Sequence, residues 1–227
     1  MPPSASVPAS RSTWRDPASA LTHFFGFVAG TIGLVVLLAQ SSADVAKQLA
    51  FGLYGVSLCV LFLASTTYHF FDLGERRNKM LRRFDHAAIF CLIAGTNVPI
   101  LMHLLEGKWR VVMLSVVVGV GALGVLFKLT WFSCPRWLDA LLYVGMGWIV
   151  LIAGPVMWPT MSAEHAGWLL AGGGFFMVGA VIYALKRPDP WPGVFGFHEV
   201  WHVFVLGGAA CHYGLAYSLL ETPYRPF

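Results

Sequence analysis

Seven long apolar runs alternate with short polar breaks along the chain, near 18–40, 49–71, 84–105, 110–128, 137–158, 165–186 and 197–220. Crossing the hydrocarbon of a bilayer takes about 20 helical residues, and few polar side chains interrupt these runs. Backbone in lipid must bond to itself, as a helix or a closed barrel. The runs are too long and too continuous for barrel strands. The pattern therefore predicts an all-α polytopic membrane protein, a seven-transmembrane-helix bundle. Residues 1–17 are polar and rich in Pro and Ser, and are expected to form a flexible N-terminal tail. A single transmembrane domain is expected over 18–227, with no internal repeat.

Composition agrees. The chain is 57% hydrophobic and 11% charged, whereas a soluble domain carries roughly 25% charged residues. Cys59, Cys91, Cys134 and Cys211 have no C-x-x-C spacing, and three of them lie in apolar runs, so they read as packing residues. The glycines at 26, 30 and 33, at 119, 121 and 124, and at 172–174 and 179 permit close helix crossings. The first run is of span length and follows a long polar lead, so a cleaved signal peptide is not expected.

The positive charges orient the bundle. With seven spans, the N-terminus and every second loop share a side. That side holds Arg11, Arg15, Arg76, Arg77, Lys79, Arg82, Arg83, Lys128, Arg136, Lys186 and Arg187, eleven of the 15 Lys and Arg. Lys47, Lys108, Arg110 and Arg225 fall on the other. The positive-inside rule then predicts an inner or plasma membrane protein with its N-terminus inside and its C-terminus outside. This is opposite to rhodopsin-like receptors. No Lys/Arg block or basic patch interleaved with aromatics is present, so no nucleic-acid partner is expected.

Candidate chemistry gathers near the inner face. His198-Glu199-Val200-Trp201-His202 places two imidazoles at i and i+4, on one face of the last helix. The second run ends in Ser65-Thr66-Thr67-Tyr68-His69, and the third begins with Phe84-Asp85-His86. The predicted orientation puts His69, Asp85, His198 and His202 in one layer of the membrane. Three neutral imidazoles with one open position are the pattern of a catalytic zinc site. Zinc lowers the pKa of bound water from 15.7 to about 7. Asp85 is the candidate carboxylate to hold that water and move its proton. Ser65, one turn before His69, can orient a ligand or bond a substrate carbonyl.

Ser65-x-x-x-His69, Asp85-His86 and His198-x-x-x-His202, in that order across seven spans, resemble the haemolysin III family. This is the bacterial branch of the progestin and adipoQ (adiponectin) receptor family, whose broader relatives include alkaline ceramidases. The resemblance covers essentially the whole chain. It implies zinc on His69, His198 and His202, Asp85 near the metal through water, and a hydrolase-like site or a role in membrane lipid state. One departure is Asn97-Val98-Pro99 after Ala94-Gly95-Thr96, where the family commonly carries Tyr-Thr-Pro.

The leading expectation is a zinc-dependent hydrolase of lipid amide or ester bonds, with lipid entering a cavity open to the cytoplasmic side. The alternative is a non-catalytic sensor or regulator of membrane lipid state with structural zinc. An intramembrane protease using Glu199 ranks lower. Glu199 is turned about 100° from the neighbouring His on the helix, and Gly208 stands where a metzincin carries its third His. A pore ranks last, because no span has polar residues along its full length. His86 and His23 are weighed as neighbours of the site. His103, His165 and His212 read as structural, and the tryptophans near span ends as an interfacial belt.

Overall fold

The computed structural model describes residues 14–131 and 134–222. Arg11, Arg225 and residues 1–13 of the expected tail lie outside them. Seven helices are long and apolar enough to cross a membrane: α1 (Pro17–Gln40), α2 (Val45–Phe70), α3 (Glu75–Leu104), α4 (Gly107–Thr130), α5 (Arg136–Thr160), α6 (Ala163–Leu185) and α7 (Phe197–Glu221). Among the described residues the only β pairing is two isolated bridges, Trp14 with Phe71 and Trp191 with Phe195. The protein is an all-helical, multi-pass membrane protein.

Sequence neighbours pack side by side, from α1 on α2 to α3 on α4, with α6 on α7 and α5 on α6. Contact of α1 with α7 brings the first and last helices together. Helix α3 is the most enclosed, with 72% of its apolar window buried, whereas α1, α4, α5 and α6 turn most of theirs outward. Their exposed Phe25, Ile32, Leu123 and Leu170 suit a lipid solvent, in which apolar side chains need no cover.

Two elements differ from the hydropathy reading. Helix α3 starts at Glu75, well before the apolar run, so Arg76 to Arg83 ride on helix rather than loop. Gly74, at φ 86°, supplies the left-handed turn before it. Lys79 and Glu75 form an i,i+4 ion pair at 2.6 Å within this charged turn. Helix α5 is interrupted. An α-helix over Arg136–Trp148 passes into 3-10 turns at Ile149–Ala153 and Trp158–Thr160, with one α turn between. Pro155 and Pro159 cannot donate to the ladder, and each ring crowds the preceding turn.

Helix α1 packs by one narrow face. Ser19, His23, Gly26, Gly30, Gly33 and Leu37 are its buried stripe, at steps of three and four. A Cβ on Gly26 would lie 2.7 Å from Leu206 of α7 and 2.8 Å from Phe62 of α2. One on Gly33 would lie 2.6 Å from Tyr213. The missing side chains let α1 settle into the groove between α2 and α7, and so bring its first turns against their ends.

Lys128 of α4 is more than an orienting charge. It is buried, and donates to Asp139 of α5 at 2.6 Å. The other Asp139 oxygen lies 3.7 Å from His86 Nδ1. This pair joins α3, α4 and α5 beside the cavity described below. Removing one partner of a buried ion pair leaves an uncompensated charge, at a cost of about 3–5 kcal/mol. Lys128→Met should therefore lower the melting temperature strongly, and Lys128→Met with Asp139→Leu should recover much of the loss. Thermal unfolding in detergent measures both.

Candidate metal centre

The last turn of α2 and the first turns of α7 meet at one end of the bundle. Helix α7 starts where it does because its free N–H groups are satisfied by side chains. Gly196 N–H donates to Glu199 Oε2 at 2.8 Å, and Phe197 N–H donates to Asp189 Oδ1 at 3.1 Å. One helical turn then separates His198 from His202, on a common face. Helix α2 ends at Phe70, where the chain turns into the extended bridge with Trp14. His69 sits in its last turn and is 2% exposed.

The three rings form a nearly equilateral triangle. Centroid separations are 5.0 Å for His69–His198, 4.9 Å for His69–His202 and 4.7 Å for His198–His202. Nε2 of His69 and Nε2 of His198 are 3.3 Å apart. One ring nitrogen from each of the three lies within 4.8 Å of the others, an arrangement able to hold a metal ion. His202 is buried, and its Nδ1 has no partner. A buried nitrogen without a hydrogen bond is costly.

Two of the three, His69 and His198, line a cavity of about 310 Å³, while His202 lies buried behind them. Asp85 and His86 of α3 line it, as do Tyr183 of α6 and Arg136 of α5. Asp85 thus faces the same space as His69 and His198 but is not among the residues that converge on one ion position. Ser65 is buried on α2, one turn before His69, and is not part of the cavity wall. Three guanidinium groups, Arg15, Arg82 and Arg136, also line the cavity. Arg15 donates to the Tyr68 hydroxyl at 3.1 Å and lies 4.6 Å from its ring centre.

Three residues of α1 and its lead-in also reach the site. Asp16 accepts from His69 Nδ1 at 3.1 Å. That hydrogen bond holds the Asp16 carboxyl below the ordinary carboxylate range, against the opposing effect of its partial burial. The Ser19 hydroxyl donates to Glu199 Oε1 at 2.7 Å. The His23 ring stacks on His202 with centroids 3.7 Å apart and planes 9° from parallel, and neither of its nitrogens has a partner. The sequence reading noted His23 but left Asp16 in the polar tail. Trp14 to Asp16 are in fact bound to the end of α2, with Asp16 N–H donating to His69 O at 2.9 Å and Arg15 N–H to Phe70 O at 3.4 Å. Two signals mark these residues in the sequence. Asp16-Pro17 is a helix-start pair, and 16, 19 and 23 continue the buried stripe of Gly26, Gly30 and Gly33 by one face.

Glu199 is occupied at both oxygens, by Ser19 and by Gly196 N–H. His103 and His212 each bond a carbonyl one turn back within their own helix, Pro99 O at 2.7 Å and Gly208 O at 2.9 Å.

The family model described as "Haemolysin-III related" matches residues 12–213. The chain belongs to the haemolysin III family. It is 32% identical over 197 residues to "Hemolysin-3" of Bacillus cereus, covering 85% of this chain and 86% of that one. It is 31% identical over 211 residues to "Hemolysin-3 homolog" of Bacillus subtilis (strain 168), covering 91% and 95%. It is also similar to "Adiponectin receptor protein" of Drosophila melanogaster, 28% identical over 212 residues, which span 85% of this chain and 48% of that longer protein.

A three-imidazole cluster makes a direct expectation. Metal analysis of the purified protein should find about one divalent ion per chain, as a tetrahedral site with one open position requires. His69→Ala and His198→Ala should each bring the content close to zero. Equal metal content in the three proteins would remove the site.

Proposed function

We propose that the protein is a zinc-dependent hydrolase that cleaves amide or ester bonds of lipids, with zinc on His69, His198 and His202. The observation that carries this reading is the approach of the His69 and His198 Nε2 atoms to 3.3 Å. Two nitrogens bound at about 2.0–2.1 Å to one tetrahedral zinc stand roughly 3.3 Å apart. The third imidazole, His202, offers a ring nitrogen within 4.8 Å of those two. An all-imidazole donor set also suits zinc better than a hard cation such as magnesium or calcium. Zinc held there would supply a Lewis acid that acidifies water and polarises a carbonyl.

The chain's own groups supply the rest. Asp85 lines the same cavity as His69 and His198, and is the group to take a proton from water and return it to a leaving amine or alcohol. Ser65, buried one turn before His69 and off the cavity wall, orients that imidazole rather than touching substrate. The resemblance to the haemolysin III family, whose broader relatives include alkaline ceramidases, supports a lipid amide as the bond cleaved. The Arg and Lys at the cavity end of the bundle support an orientation with the N-terminus and the cavity on the cytoplasmic side of the cell membrane and the C-terminus outside. Lipid enters from the leaflet on that side.

The test uses purified protein in liposomes containing ceramide or an acyl ester. Asp85→Asn should keep its metal and lose turnover by about 10²–10⁴-fold, the usual worth of a general acid–base group. Glu199→Gln should keep most of the activity. If the zinc-loaded wild type releases no fatty acid from any of these lipids, the hydrolase reading fails. A zinc-bearing sensor of membrane lipid state then takes its place.

A further inference from the structure

Asp16 occupies the N-cap of α1, directly before Pro17. An aspartate there ordinarily accepts from the free N–H groups of the first turn. Asp16 makes no such bond. Its carboxylate turns across to α2 and accepts from His69 Nδ1 at 3.1 Å. The backbone grips the same residue, with Asp16 N–H donating to His69 O at 2.9 Å. A helix cap is worth about 1 kcal/mol, and here that stabilisation is forgone in favour of one imidazole.

The choice fixes the chemistry of that ring. Neutral imidazole carries one proton on two nitrogens, and an ionised carboxylate only accepts. The proton therefore sits on Nδ1, and the lone pair on Nε2, the nitrogen that faces His198. A carboxylate behind a ligating histidine sets its tautomer, holds its ring plane and raises its basicity. We infer that Asp16 is a positioning residue of the metal centre, acting through His69. The inference rests on the metal-binding reading of the three histidines.

Helix α1 contributes no ligand, yet it braces both helices that do. Asp16 holds His69 on α2, Ser19 holds Glu199 beside His198, and His23 is stacked on His202 of α7. The glycine stripe above them keeps α1 close enough for all three contacts.

The test is zinc affinity of the full-length protein in detergent, measured by competition with a chromogenic chelator. Asp16→Ala should weaken binding about 10–100-fold, the usual effect of removing such a partner. Asp16→Glu should restore affinity to within about 3-fold, since an ionised carboxylate, which neutral Ala or Asn does not supply, again accepts from Nδ1. Glu75→Gln, which removes an exposed carboxylate away from the cavity, should bind zinc as the wild type does. The cobalt-substituted Asp16→Ala protein should show a shifted d–d spectrum, a change that loss of general stability would not produce. The backbone bond to His69 survives these substitutions, so apo-protein melting should change little. Should Asp16→Ala not fold, the comparison of Asp16→Asn with Asp16→Glu carries the same decision. Unchanged affinity and spectrum in the alanine or asparagine variant, or no rescue by glutamate, overturns the role of Asp16. A wild type that binds no zinc overturns the metal reading itself.

Discussion

A bilayer offers no hydrogen bonds to a buried polar group, so each such group must find its partner inside the protein. In the described residues that constraint is met in two ways. Single polar side chains bond a carbonyl in their own helix, as His103, His212, Thr96 and Asn97 do. A second group gathers at one end of the bundle, where His69, His198 and His202 face each other and Lys128 meets Asp139. The first kind leaves helices independent. The second ties distant segments together, and the cavity lies between those ties.

Hydropathy made the helices legible because it reports the one property that a lipid solvent selects. All seven predicted runs became helices, with ends shifted by a few residues in most. The larger departures have the same origin. A helix can continue beyond the membrane, as α3 does through its charged first turns, because i,i+4 charge pairs and water support it there. A helix can also deform inside the membrane, as α5 does near Gly154-Pro155, without becoming less apolar. Hydropathy is blind to both.

The histidine cluster was legible through depth. Span order and orientation alone bring the end of α2 and the start of α7 to one layer, and the i,i+4 spacing puts His198 and His202 on one face. What remained hidden was the contribution of α1. Asp16 is polar and lies before the first apolar run, both of which read as loop. Its role depends on a tertiary fact, the entry of α1 between α2 and α7. The glycines that permit this entry were visible, but a packing stripe gains chemical meaning only when followed past its last glycine to Ser19 and Asp16.

The same geometry decides the meaning of His198-Glu199-x-x-His202. In a soluble zinc protease the glutamate of this string is a general base, which requires a free oxygen near the metal-bound face. Here both Glu199 oxygens accept hydrogen bonds, one from Gly196 N–H at the helix start and one from Ser19. A carboxylate so engaged caps α7 and joins it to α1. The carboxylate left facing the cavity is Asp85, carried on a third helix. In a protease of that kind the base and two ligands share one helix, so their spacing is set by helical geometry alone. Here the imidazoles and the carboxylate come from α2, α3 and α7, so the distance between them is set by how the bundle packs. A shift of one helix would therefore alter the cavity's chemistry without changing a residue in it.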